Sequence, residues 1–187
     1  MNRDQILDAA AQIIRQKGYH AASMQDIAEA VNLQKASLYH HFSSKQEILL
    51  ELLDQALDLL IERVSTVLSQ ELPVDEKLFQ AMRIYLGSLA EHAALTSVLL
   101  LEYRSLNPEY HERYIPRRDR FERLWRDLIQ EGVESDVFHD TDPSMTARAL
   151  LGVMNSTIAW YRPDGLLSIG QISDQFAGLF LDGLRGR

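Results

Sequence analysis

The 187-residue sequence contains no cysteine, which removes the disulfide framework, the thiolate metal site and the thiol nucleophile together. Its nine glycines are scattered, and no run of them could cradle a phosphate. Purely apolar runs such as Val98-Leu99-Leu100-Leu101 fall far short of the ~20 residues that span a bilayer. The opening residues Met1-Asn2-Arg3-Asp4 lack the apolar stretch of a secretory signal. The expectation is a soluble, cytoplasmic protein with no membrane partner. Val, Ile and Thr alternate with polar residues in no convincing segment, so strands are not expected. Serine stands beside no histidine in a hydrolase-like motif, and His92, His111 and His139 are isolated. His40 and His41 are adjacent and would diverge by ~100° on a helix. No catalytic constellation, metal site or cofactor is expected.

A net charge of −8 is unevenly placed. Within residues 1–50, Arg3, Arg15, Lys17, Lys35 and Lys45 balance Asp4, Asp8, Asp26, Glu29 and Glu47. The whole excess therefore lies in the rest of the chain. An acidic body does not wrap a polyanion with its full surface, but one local site can still touch phosphates.

Apolar residues recur at helical spacing along the chain, which predicts an all-α fold of about nine helices. Asn2 caps the first and Gly18 ends it. Ser23, answered by Asp26, opens a short helix reaching Val31. Asn32 suits a tight turn, and a second short helix runs from Lys35 to Phe42. Ser44 with Glu47 caps a long helix reaching Ser69. Further helices are predicted from Asp75 to His92, Ala94 to Leu106 and Pro108 to Glu131, the last ended by Gly132. Asp142-Pro143 starts another, reaching Tyr161, and Ser168 with Gln171 caps the final one, to Arg185.

Neither short helix between Ser23 and Lys45 is long enough to stand alone in water. Ile27, Ala28, Val31, Leu33, Leu38 and Phe42 supply an inner face that would hold them together. The outer face of the second reads Lys35, Ser37, Tyr39, His40 and His41, which is rich in donors and free of acid. That composition suits phosphate and base-edge contacts in DNA. Lys45 falls in the first turn of the next helix, whose amide groups and dipole can also hold a phosphate.

The run from Ile27 to Glu47, and above all Leu38-Tyr39-His40-His41-Phe42 followed by Ser44-Lys45, resembles the tetracycline-repressor (TetR) family of bacterial regulators. The close resemblance covers roughly residues 4–50. It implies a three-helix, helix-turn-helix DNA-binding domain at 1–47 and a larger ligand-binding and dimerisation domain at 48–187. By position, Lys35, Ala36, Ser37, Tyr39, His40, His41 and Lys45 would face DNA, with Tyr39 and Lys45 on phosphates. Two positions depart from the family pattern. Asn32 replaces a common glycine, and Gln34 replaces a common capping serine; glutamine is a poorer cap, so Gln34 is a further candidate for DNA contact.

The resemblance also implies a homodimer built from the last two long helices, a palindromic operator in double-stranded DNA and a small effector. Leu150, Val153 and Thr157 share one helix face and Phe176, Leu179 and Phe180 another, as an interface requires; packing within one subunit would produce the same stripes. Candidate pocket residues are Tyr85, Leu89, Leu99, Tyr103, Phe121 and Leu124, with Trp125, Met154, Ile158 and Trp160. Leu101-Glu102-Tyr103-Arg104 and Trp160-Tyr161-Arg162-Pro163-Asp164-Gly165 resemble segments of members that answer to acyl-coenzyme A thioesters. Arg117, Arg118, Arg120, Arg123 and Arg126 form a basic run with two readings. Asp119–Arg123 and Glu122–Arg126 are spaced as solvated ion pairs, while Arg117 and Arg118 could rim a pocket for an anion. The reading that follows is a ligand-responsive DNA-binding regulator, a repressor released by a hydrophobic effector such as an acyl-coenzyme A. Its rival is an all-α enzyme or lipid carrier in which the helix pair is only structural.

Overall fold

Side-chain caps set the helix starts in the computed structural model, which describes Asn2–Arg185. Among the described residues there are nine α-helices, one short 3-10 turn and no strand. Asn2 and Gln5 form a capping box on α1 (Arg3–Lys17), and Gly18 closes it at φ +78°. Ser23 and Asp26 do the same for α2 (Met24–Ala30). Such a cap is worth about 1 kcal/mol, a large share of what a seven-residue helix can gain by itself. Asn32 takes the left-handed turn at φ 54°. The next helix, α3 (Lys35–Leu38), is shorter than its predicted reach to Phe42. Residues 39–41 form turns instead, with His41 N–H donating to Leu38 O at 3.0 Å. Ser44 Oγ accepts from Glu47 N–H at the start of α4 (Lys45–Leu68), but the Glu47 carboxylate turns to Ser43 rather than closing the box.

The following helices are α5 (Val74–Glu91), α6 (Ala93–Glu102), α7 (Pro108–Glu134), α8 (Pro143–Trp160) and α9 (Ile169–Leu184). Between α6 and α7 the predicted helix to Leu106 gives way to a 3-10 turn at Tyr103–Ser105. Asp142 caps α8 through the amides of Ser144 and Met145, with Pro143 in its first turn. Ser168 and Gln171 box α9. No single helix is long and apolar enough to cross a membrane.

The chain forms two compact units, with the dividing points inside α4, between α5 and α6, and inside α7. The first holds the chain through Asp58 together with His92–Arg118. Its core is built from Ile6, Leu7, Ala10 and Ile14 of α1, Ile27 and Ala28 of α2, and Leu38 and Phe42, with Ile48, Leu49, Leu52 and Leu53 of α4. Within it α1 also packs along α6. The second unit holds Leu59–Glu91 and the chain from Asp119 onward, and in it α5 packs along α9. Leu78, Met82 and Leu86 of α5 and Ile172, Ala177 and Leu181 of α9 are buried there. Arg185 to Asp75 at 2.6 Å and Arg83 to Asp174 at 3.3 Å flank the pair.

Gly132 does not end α7, which continues to Glu134. Its role is close approach: a Cβ at this position would lie 2.0 Å from Cδ2 of the Phe138 ring. Helix propensity alone would have Gly132→Ala stabilise by about 1 kcal/mol. The overlap dominates, so urea unfolding should show a loss of about 1–3 kcal/mol. In a Phe138→Ala background the same change should cost much less, because the ring it strikes is gone.

Candidate nucleic-acid interface

The turn between α2 and α3 is held by backbone bonds, with Leu33 N–H donating to Ala28 O at 2.8 Å and Asn32 N–H to Glu29 O at 3.1 Å. Ile27, Ala28, Val31, Leu38 and Phe42 are buried and Leu33 is half-buried, so the inner face is as the periodicity predicts. Gln34 makes no side-chain cap. It is exposed with Lys35, Ala36, Tyr39 and His40, while Ser37, His41 and Lys45 are half-buried. From Ala30 to Gln46 there is no carboxylate. The outer side of α3 and the turns after it thus form a donor-rich strip without an acid to repel phosphate.

Two cations fix this strip from beneath. Arg3 donates through Nη1 to His41 O and through Nε to Glu51 Oε2 at 2.9 Å, and pairs with Glu47 at 2.8 Å. Its guanidinium also lies 4.0 Å from the centre of the Phe42 ring. The Glu51 and Glu47 hydrogen bonds raise the Arg3 pKa against the burial that opposes them. Glu47 in turn is held below the usual carboxylate range, first by the Ser43 hydroxyl and then by Arg3. Lys45 Nζ donates to Tyr19 O at 2.8 Å and Ala22 O at 2.6 Å, and sits 4.3 Å from the Tyr19 ring centre. Burial lowers its pKa. The ammonium therefore closes the loop between α1 and α2, whatever it does with its remaining donor.

Gln46 ties the same region to the turn after α6. Its Nε2 donates to Tyr19 Oη and Ser105 O, each at 2.8 Å, and its Oε1 accepts from Asn107 N–H at 2.8 Å. Glu102 Oε1 accepts from Tyr19 N–H at 3.2 Å. Arg3, Tyr19, Gln46 and Glu102 were not legible as a group in the sequence. They come from four separate segments, and no spacing rule connects them.

The pocket candidates divide between the units. In the second, Tyr85 of α5 stacks on Phe121 at 5.7 Å and meets Trp125 edge-on at 5.6 Å, both from α7. Its hydroxyl donates to Asn155 of α8 at 2.6 Å. Leu89 and Met154 are buried, Leu124 and Ile158 half-buried, and Trp160 is 49% exposed. Trp160 lies at a shallow depression of about 250 Å3 with Tyr161, Arg162, Leu166 and Ile172. Leu99, Tyr103, Arg117 and Arg118 belong to the first unit. There Tyr103 stacks with Tyr114 at 6.2 Å, and Arg117 pairs with Asp54 at 2.9 Å and with Asp58. Burial raises the Asp54 pKa, and Arg117 opposes that rise. Of the acids expected to pair along the arginine run, Glu122 takes Arg148 at 3.2 Å instead, and Arg126 lies 3.7 Å from Asp127. Of the interface candidates, Leu150 and Thr157 are buried within the unit, Val153, Phe176 and Phe180 half-buried, and Leu179 69% exposed. Among the described residues no cluster of three metal-ligating side chains occurs.

Two family descriptions match the chain in succession. "Bacterial regulatory proteins, tetR family" covers residues 6–52, and "Tetracyclin repressor-like, C-terminal domain" covers 71–184. The TetR family transcriptional regulator PfmR of Thermus thermophilus is 37% identical, with a TM-score of 0.89 over 98% of this chain and 100% of its own. AibR, solved in complex with isovaleryl coenzyme A and operator DNA, is 27% identical, with a TM-score of 0.89 over 95% and 96% of the two chains. The HTH-type transcriptional repressor KstR2 of Mycobacterium tuberculosis (strain ATCC 25618 / H37Rv) is 29% identical over 184 residues, which is 97% of this chain and 92% of the relative.

The bonds of Lys45 predict a loss that is independent of DNA. Lys45→Met keeps the aliphatic stem and removes two charge-assisted bonds, so thermal unfolding without DNA should show about 1–3 kcal/mol less stability. Tyr39→Phe, at an exposed position, should stay within about 0.5 kcal/mol of the parent. A second expectation concerns acid. The Lys17 hydrogen bond, then Ser23, holds Asp26 down to about 2. A carboxylate with a depressed folded value stabilises above its unfolded value and loses that contribution as pH falls through the folded one. Asp26→Asn should therefore flatten the loss of helicity between about pH 4 and pH 2, followed by circular dichroism.

Proposed function

Because this chain belongs to the tetracycline-repressor (TetR) family of bacterial regulators, we propose that it is a homodimeric repressor released from a palindromic operator by a hydrophobic thioester. A reader of operator DNA works in the cytoplasm. The observation that carries the DNA reading is the exposed, acid-free strip of Gln34, Lys35, Ala36, Tyr39 and His40, bordered by Ser37, His41 and Lys45. Residues 1–47 act as the reading module and 48–187 as the sensing and pairing module. Two copies of α3 enter successive major grooves, spaced by the dimer. Effector binding favours a dimer in which that spacing no longer fits, and affinity falls.

The thioester is supported by what the relatives are named for. AibR was solved with isovaleryl coenzyme A, and a relative from Bacillus subtilis (strain 168), 23% identical over 185 residues, is named a fatty acid metabolism regulator protein. Tyr85, Phe121 and Trp125 give the second unit a buried aromatic interior, the kind of lining that an acyl chain requires. Arg117 is a poorer anion clamp than its sequence position promised, since a phosphate must displace Asp54 and Asp58 from it. Leu179, Val153, Phe176 and Phe180 line the proposed subunit contact.

DNA fragments retained by the purified protein and then sequenced supply the operator. On that operator Tyr39→Phe should bind about tenfold more weakly, the worth of one phosphate hydrogen bond, and by the same factor on unrelated DNA, because phosphates carry no sequence. Unchanged affinity in both Tyr39→Phe and Lys45→Met would overturn the assignment of this face. Leu179→Glu tests pairing cleanly, because its side chain is exposed in the single chain and a charge there leaves the protomer core intact. Sedimentation should show monomers, with operator binding lost at concentrations that saturate the parent. A Leu179→Glu dimer of full affinity would exclude this contact.

A further inference from the structure

Trp125 is fully buried, and its indole Nε1–H has no hydrogen-bond partner among the described residues. A buried donor left unmet is costly and rare in folded proteins, and each case calls for a physical reason. This one stands inside the densest aromatic group of the second unit, against Tyr85 at 5.6 Å and Phe121 at 6.3 Å. The Tyr85 hydroxyl donates to Asn155 Oδ1. Packing accounts for the volume that the indole fills, but not for a donor placed where nothing meets it.

We infer that the Trp125 indole N–H is the polar anchor of the effector site and takes a neutral carbonyl oxygen, such as that of a thioester, ester or ketone. The inference rests on the sensing role proposed above and narrows its chemistry. The donor is neutral and surrounded by rings, so it stabilises a neutral acceptor. A carboxylate moved to the same place would exchange its hydration for one uncharged donor, a strongly unfavourable trade. The rings then hold the apolar part of the ligand, while Trp125 selects for the oxygen. Selection of this kind is sharp, because a site built around a buried donor rejects the analogue that lacks the acceptor. The competing explanation is internal: the edge-on contact with Tyr85 would let the N–H rest on that ring's face.

The chain has two tryptophans, which makes the test direct. Trp160 Nε1 donates to Ser156 Oγ at 3.3 Å and is half-exposed, so its indole resonance serves as the internal reference. The full-length protein, labelled with 15N, is titrated with isovaleryl coenzyme A, a matched ester, a ketone and the free acid, and release of operator DNA is measured in parallel. The expected result is a downfield shift of the Trp125 indole proton with the neutral carbonyl compounds and none with the acid. Trp125→Phe should need about tenfold more of the active compound for half-release, each protein being measured against its own operator affinity in the absence of that compound. Release by the thioester with a silent Trp125 resonance, or with equal potency on Trp125→Phe, overturns the inference and leaves the thioester reading intact. A Trp125 shift and DNA release with the ketone or ester, but not with the thioester, supports the indole anchor and overturns the thioester reading. No Trp125 shift and no release of DNA with any neutral carbonyl compound removes both.

Discussion

A helix of four residues cannot keep its shape in water, and α3 keeps its shape because its surroundings impose it. Leu38 and Phe42 are driven into the core of the first unit. Arg3 has none of the freedom of an ordinary surface arginine. It spans the His41 carbonyl, the Phe42 ring, Glu47 and Glu51 at once, and so binds the start of α1 to the turn after α3 and the first turns of α4. The exposed strip of donors is therefore a surface presented by a fixed frame. Each of these ion pairs alone would contribute little at its level of exposure; their shared cation is what makes the group a positional constraint.

The same logic extends to the segment His92–Arg118, which belongs to the unit that carries the helix-turn-helix. Gln46 and Glu102 join backbone groups of Tyr19, Ser105 and Asn107 across elements distant in sequence. Arg117 bridges α7 to Asp54 and Asp58 of α4 in that unit, and Asp54 depends on it because burial works against its charge. Displacing α6 or the first half of α7 would strain these bonds, and through them the loop that Lys45 closes. The helix-turn-helix is therefore not an isolated three-helix module; the end of α6 is part of its frame.

The second unit is organised around rings. Tyr85, Phe121 and Trp125 meet from two helices, and the Tyr85–Asn155 bond draws in a third. The family match over residues 71–184 covers most of this unit and part of the first. That match establishes the kind of protein, a ligand-responsive regulator of the TetR family, while effector chemistry depends on side chains that vary freely within one fold.

Capping residues and the period of apolar positions determined nearly all helix starts, since a cap acts over three residues and a stripe over one helix. Asn2, Ser23, Asp142 and Ser168 cap where their side chains allow, and Asn32 turns because asparagine tolerates left-handed geometry. The acid-free face of α3 was legible for the same reason. Helix ends were less so. Gly132 reads as a stop, yet its missing side chain makes room for Phe138 and the helix runs on. The tertiary structure alone decided the partners of the charges: Arg117 with Asp54 and Asp58, Glu122 with Arg148, Lys45 with the Tyr19 and Ala22 carbonyls. It also decided that Trp125 would be buried with its donor unmet. Long flexible side chains reach whatever the fold brings within a few ångströms, and that neighbourhood is set by how helices cross, which no local pattern encodes.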